Sequence, residues 1–126
     1  MIRTELTFRL PNSPGALAGV CRLLSDEHVN IVALSLEAGG YLHLIVDNPV
    51  RASGALAAHH HKVSEQDVLF MIIGHQHGGL APLLSLVADA GVNVNYAYAA
   101  GAEGGTSAAV VIGVDDAMRA SAAVGT

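Results

Sequence analysis

The chain has 126 residues, 52% of them hydrophobic, a formal charge of −5 and a single lysine, Lys62. That length suits one ordinary domain or two very small ones, and the scarcity of cations excludes a basic face for nucleic acid. Aromatic residues make up 4% and Trp is absent, so the core must come from Val, Leu, Ile and Ala.

Cys21 is the only cysteine, which rules out an intrachain disulfide and suits a reducing, cytoplasmic setting. Residues 1–5 lack the apolar core of a signal peptide. The longest apolar run, Val68 to Ile73, has the length of a buried strand and falls far short of a membrane span. A sparsely charged, apolar surface points to self-association as a homodimer.

Thr4 to Leu10 alternates, with Leu6, Phe8 and Leu10 on one face and Glu5, Thr7 and Arg9 on the other. This is the pattern of a half-buried strand. Pro11 ends it. Asn12 or Ser13 is expected to cap a helix with Pro14 at its first position. Leu17, Val20, Cys21 and Leu24 continue at helical spacing. Val29 to Glu37 reads as a second strand, Gly39-Gly40 as a tight turn, and Tyr41 to Val46 as a third strand. Asn48-Pro49 opens a helix to about His60, and Lys62 to Ser64 is predicted as a short fourth strand. The order is β-α-β-β-α-β, the ferredoxin-like arrangement of an antiparallel sheet with two helices on one face.

The pattern then restarts. Asp67 to Gly74 is predicted as a strand with both faces covered. A helix follows from near Gly78, with Pro82 in its first turn, and Gly91 ends it. Val92 to Ala99 and Ser107 to Val114 are predicted strands around a Gly-rich turn. Asp115 is expected to cap a last helix into Ala123.

Counting exposes an internal repeat. An offset of 63 carries Gly15 onto Gly78, Leu17 onto Leu80, and Val29-Asn30-Ile31 onto Val92-Asn93-Val94. After the longer second turn the offset is 68, which carries Val46-Asp47 onto Val114-Asp115 and Arg51 onto Arg119. The expected fold is therefore α+β: two tandem ferredoxin-like (βαββαβ) repeats with antiparallel sheets, over 1–65 and 66–126. The second repeat lacks its last strand, which leaves one sheet edge open, short or covered by another chain.

Asn12-x-Pro14-Gly15-x-Leu17, followed by a helix and Val29-Asn30-Ile31, resembles the ACT domain family of ferredoxin-like regulatory modules. The resemblance spans both repeats and implies a small, non-enzymatic, tandem ACT protein that binds an amino acid between ACT units. It carries Asn12 and Asn30 onto the asparagines that hold the effector in serine-binding members. Those members have His two residues before the first Asn, where this chain has Leu10. The second repeat keeps Gly78, Leu80 and Asn93 but places His75 and His77 where the first has Asn12 and Pro14.

The junction chemistry supports a binding role independently. A helix start offers unpaired N–H donors and the positive end of the helix dipole, so it holds a carboxylate without Arg or Lys. Ser13, Pro14, Gly15, Ala16 and Leu17 supply that backbone, and Gly15 admits close approach. Asn12 can both donate and accept, with Asn30 to complete the site. Gly78, Gly79 and Asn93 are the matching residues of the second repeat. The competing reading is ordinary turn and cap chemistry.

Two further readings stay open. His75 and His77 with the cluster His59 to His61 are candidate ligands for a divalent metal, against solvated or carbonyl-capping histidines. Alternatively, the chain is a purely structural dimerisation module. Tyr96 and Tyr98 alternate on one strand face and are expected to pack between repeats or subunits. Cys21 is expected in the core. No nucleophile constellation, phosphate loop or cofactor motif is present.

Overall fold

The computed structural model describes residues 1–74 and 79–125. The elements are β1 (Ile2–Arg9), α1 (Ala16–Asp26), β2 (Ile31–Leu36), β3 (Tyr41–Val46), α2 (Pro49–Ala58), β4 (Ser64–Gly74), α3 (Leu80–Asp89), β5 (Val94–Gly101), β6 (Ser107–Val114) and α4 (Ala117–Val124). They form two compact α+β units, one of Thr4–Gln66 and one of Asp67–Thr126 joined by Met1–Arg3.

In the unit Thr4–Gln66, β3 lies between β2 and β1. Its pairings are antiparallel, with Leu6 opposite Leu44, Thr7 opposite His43 and Leu34 opposite Leu44. The alternation of β1 puts Leu6, Phe8 and Leu10 onto one face with Leu42, Leu44 and Val46. Val20 and Leu24 of α1, and Ala52 and Leu56 of α2, close that core. In the other unit, β6 lies between β4 and β5. Leu69 faces Ile112 across β4 and β6, and Leu83, Val87 and Ala120 pack over them.

Three expectations are corrected. Residues 62–64 and 67–74 are not two strands: β4 runs unbroken from Ser64 to Gly74. Glu65 and Gln66 carry no turn chemistry, so nothing interrupts the extended backbone. The edge beside β4 is also not left bare by a missing last strand. Met1 takes that place in its unit, its ammonium donating to Phe70 O at 2.9 Å and its carbonyl accepting the Phe70 N–H at 2.8 Å. Finally, β4 is not covered on both faces throughout, because Ile72 is 61% exposed.

Helix entry differs as well. The N-cap of α1 is Gly15 at φ 84°, with no side-chain cap. Asn12, Ser13 and Pro14 sit in the turns before it, where the Ser13 N–H donates to Pro11 O (3.0 Å) and the Ala16 N–H to Ser13 O (3.3 Å). A left-handed residue cannot continue a right-handed helix, so the helix starts after Gly15. At α4 the cap is Asp116, which accepts the Arg119 N–H, and not Asp115. At α2 the cap is Asn48, as its sequence context predicts.

Candidate functional site

The β1–α1 junction opens onto a cavity of about 430 Å³. Leu10 and the loop residues Asn12, Ser13 and Gly15 line one side, followed by Ala16, Leu17 and Ala18 of the helix. The opposite wall is the β2–β3 hairpin, from Leu36 through Glu37 and Ala38 to Gly40. The two walls are tied together, since the Leu10 N–H donates to Gly40 O at 2.8 Å. Gly40 has φ 95°, and a Cβ there would lie 3.2 Å from Leu10 O. The left-handed backbone favours glycine here, and a side chain would also fit tightly against Leu10 O.

The donors facing this cavity come from the helix start. The Gly19 N–H returns to Gly15 O at 2.9 Å, while the Leu17 and Ala18 N–H groups find no backbone acceptor among the described residues. Such groups and the exposed Asn12 amide suit an anion, and no Arg or Lys lines the space.

Behind the hairpin wall lies a network that the sequence reading missed. Glu5 is fully buried and His43 is nearly so. His43 Nδ1 is 3.0 Å from Glu5 Oε1, and its Nε2 is 3.1 Å from Glu37 Oε1. Gln66 Nε2 (2.9 Å) and Thr7 Oγ1 (3.3 Å) also donate to Glu5 Oε1. Burial by itself lowers the His43 pKa, but the hydrogen bonds and charges of Glu5 and Glu37 outweigh it and hold it above the ordinary histidine value. Alternation places Glu5 on the face opposite Leu6, Phe8 and Leu10, and that position is buried. The available signal was a lone histidine, His43, inside the otherwise apolar strand Tyr41–Val46.

No family model matches the chain, and no curated protein matches it significantly. Solved structures do. Protein BT0572 from Bacteroides thetaiotaomicron is 29% identical, with 99% of this chain and 88% of that one covered at a TM-score of 0.89. The regulatory subunit of aspartate kinase from Thermus thermophilus, in its ligand-free form, is 18% identical, with 99% and 92% covered at 0.71. Aspartokinase III of E. coli, in complex with lysine and aspartate, is 17% identical, with 94% of this chain and 30% of that one covered at 0.61. The chain has the ACT fold.

The second ACT unit holds a matching cavity of about 360 Å³ where β4 meets α3. Its lining corresponds position by position: Ile73 for Leu10, Leu80 for Leu17, Ala99 for Leu36, Ala100 for Glu37 and Ala108 for Gly40. Gly79 lines it and caps α3 in the ordinary helical region, at φ −65°. Gly78, His75 and His77 lie outside the described residues.

The asparagines after the helices do not join these cavities. Asn30 lies beyond the far end of the eleven-residue α1, about 16 Å along the axis from its start. There the Asn30 N–H donates to Asp47 Oδ1 (2.9 Å), and the Asp47 N–H to Asn30 O (3.0 Å). Asn93 repeats this role: its carbonyl accepts the Asp115 N–H at 3.3 Å, and its amide donates to Asn95 Oδ1 at 3.0 Å. Within each ACT unit these residues tie strand ends together.

Pro14 lines a neighbouring groove of about 440 Å³ with His59 and His61. His59 Nδ1 donates to Ala55 O at 3.1 Å, a helix-end cap. The His61 ring lies 4.9 Å from that of Phe8, and burial, then the neighbouring His59 and His60, push its pKa down. Among the described residues, no three His, Cys, Asp or Glu side chains are arranged to hold a metal. Cys21 is a free, half-buried thiol. Among the described residues, no helix is long and apolar enough to cross a membrane.

Proposed function

We propose that this ACT protein is a non-enzymatic, cytoplasmic regulator that binds an amino acid in the β1–α1 cavity. The observation that carries this reading is the cavity wall itself: an uncapped helix start beside Asn12, in a space of about 430 Å³. Ser13, Gly15, Ala16 and Leu17 present backbone to the ligand carboxylate, and Asn12 reads its polar groups. Pockets for small ligands begin at roughly 300 Å³. The regulatory subunits and domains of aspartate kinase share the fold, and E. coli aspartokinase III is described in complex with lysine and aspartate.

A second copy of the chain closes the open side of the cavity in this reading. Strand β2 is an edge strand of its unit and exposes Val32, Leu34 and Leu36, of which Leu36 also belongs to the cavity wall. An apolar edge of this kind favours pairing with another chain.

A thermal-shift screen of the full chain against the common amino acids tests the proposal. A ligand at a hundredfold its Kd adds about 2.7 kcal/mol of stability. At least one amino acid is expected to raise the Tm, and Asn12→Ala to abolish that rise. Absence of any response, or an Asn12→Ala protein that keeps it, contradicts the assignment.

A further inference from the structure

His43 stands between two carboxylates, one on each ring nitrogen. Both contacts are hydrogen bonds at once only when both nitrogens carry protons. A neutral imidazole has a single N–H, and its other nitrogen turns a lone pair toward a carboxylate oxygen. The two carboxylates are not equivalent. Glu5 is fully buried on β1, whereas the Glu37 side chain is 49% exposed at the hairpin. Withdrawing one donor from a buried carboxylate is costly, while an exposed carboxylate is hydrated in its place. Loss of one proton therefore leaves the Nδ1–H on Glu5 and frees Glu37.

Glu37 is also part of the cavity wall. Its N–H donates to Tyr41 O (3.0 Å), and its carbonyl accepts the Gly40 N–H (2.9 Å). The Gly40 carbonyl in turn accepts from Leu10, the residue that leads into the Asn12–Gly15 loop. A continuous chain of contacts thus runs from the imidazole through the hairpin to the other wall. Among the groups facing His43 are Glu5 and Thr7 from β1 and Glu37 from the hairpin, with Gln66 of β4 supporting Glu5.

We propose that protonated His43 latches the Leu36–Gly40 wall of the cavity through Glu37, and that its deprotonation releases the wall and weakens ligand binding there. His43 is a positioning residue, and the site becomes proton-linked. This rests on the reading of the cavity as the ligand site, but its first test needs no ligand.

The test is an NMR titration of the labelled full chain between about pH 5 and pH 9, a range that brackets an ordinary histidine. The His43 ring is expected to titrate above the ordinary histidine value, with the amides of Leu10, Glu37 and Gly40 shifting at the same midpoint. In Glu37→Gln, a change at a half-exposed position, the His43 midpoint falls and the Leu10 and Gly40 amides lose that transition. Amides that stay flat while His43 titrates, or a His43 midpoint unmoved by Glu37→Gln, overturn the latch. Amino-acid binding with the same affinity on both sides of the midpoint overturns it too, and leaves the proposed function standing. Coupled titration without any amino-acid response removes the ligand reading and retains the latch.

Discussion

The two ACT units solve one packing problem with different chemistry. At Glu5, Thr7, Glu37 and His43 the first unit places a polar network. The positions related by the internal repeat are Val68, Phe70, Ala100 and Val111 in the second. The registers correspond, since Thr7 faces His43 and Phe70 faces Val111. Val68, Phe70 and Val111 are buried, as Glu5 and His43 are. The fold is therefore built equally well from aliphatic and aromatic side chains at these positions. A buried ion pair gains little over well-packed apolar residues, so stability alone does not account for the charged version. Its distinct property is a titratable link to the cavity wall.

The largest expected effect comes from breaking that network in half. His43→Val removes the imidazolium beside buried Glu5 and should cost about 3–5 kcal/mol, read by urea denaturation. Combined with Glu5→Val, which recreates the pair found in the second unit, most of that loss should return. A double variant as unstable as the single one would break the comparison.

The units also exchange large and small residues. Gly113 and Tyr96 of the second unit stand at the positions of Ile45 and Ala33 in the first. A Cβ at Gly113 would collide with the Tyr96 ring. Gly113→Ala should therefore cost about 1–3 kcal/mol by overpacking, and Tyr96→Ala in the same chain should relieve part of it.

A smaller effect separates the helix starts. Gly15 is left-handed, whereas Gly79 is in the ordinary helical region. Gly15→Ala should cost about 1–2 kcal/mol for the left-handed backbone, and Gly79→Ala less than about 0.5 kcal/mol. Equal losses in parallel melts would contradict the assigned conformations.

The smallest expected effect is the pH dependence of stability. The His43 pKa is raised on folding, so its contribution is complete below the unfolded histidine value. That contribution is lost as pH rises through the folded value. Glu5→Val/His43→Val should show a flatter stability profile over that window.

Much of this architecture was legible in the sequence. Strands β3 and β6 keep their expected bounds, because predominantly apolar runs end at turn residues on both sides. The repeat offsets also align the two cavities. Helix starts were less legible: Asn-Ser-Pro-Gly serves as two backbone turns as readily as a cap, and only the conformation of Gly15 decides between them. Asn30 appeared to complete the site because it shares the local motif with Asn12, yet a helix separates the two. The burial of Glu5 was hidden because alternation assigns a strand its two faces without saying whether the second is covered.

The central claim is that the β1–α1 cavity is where this chain takes an amino acid. Mapping amide shifts of the full chain on addition of a stabilising amino acid tests it most directly. The account predicts the largest shifts at Asn12, Ser13, Gly15, Leu17 and Ala18, with a second group from Leu36 to Gly40. Shifts confined to the α1–β2 turn around Asn30, or to the His59–His61 groove, would contradict it.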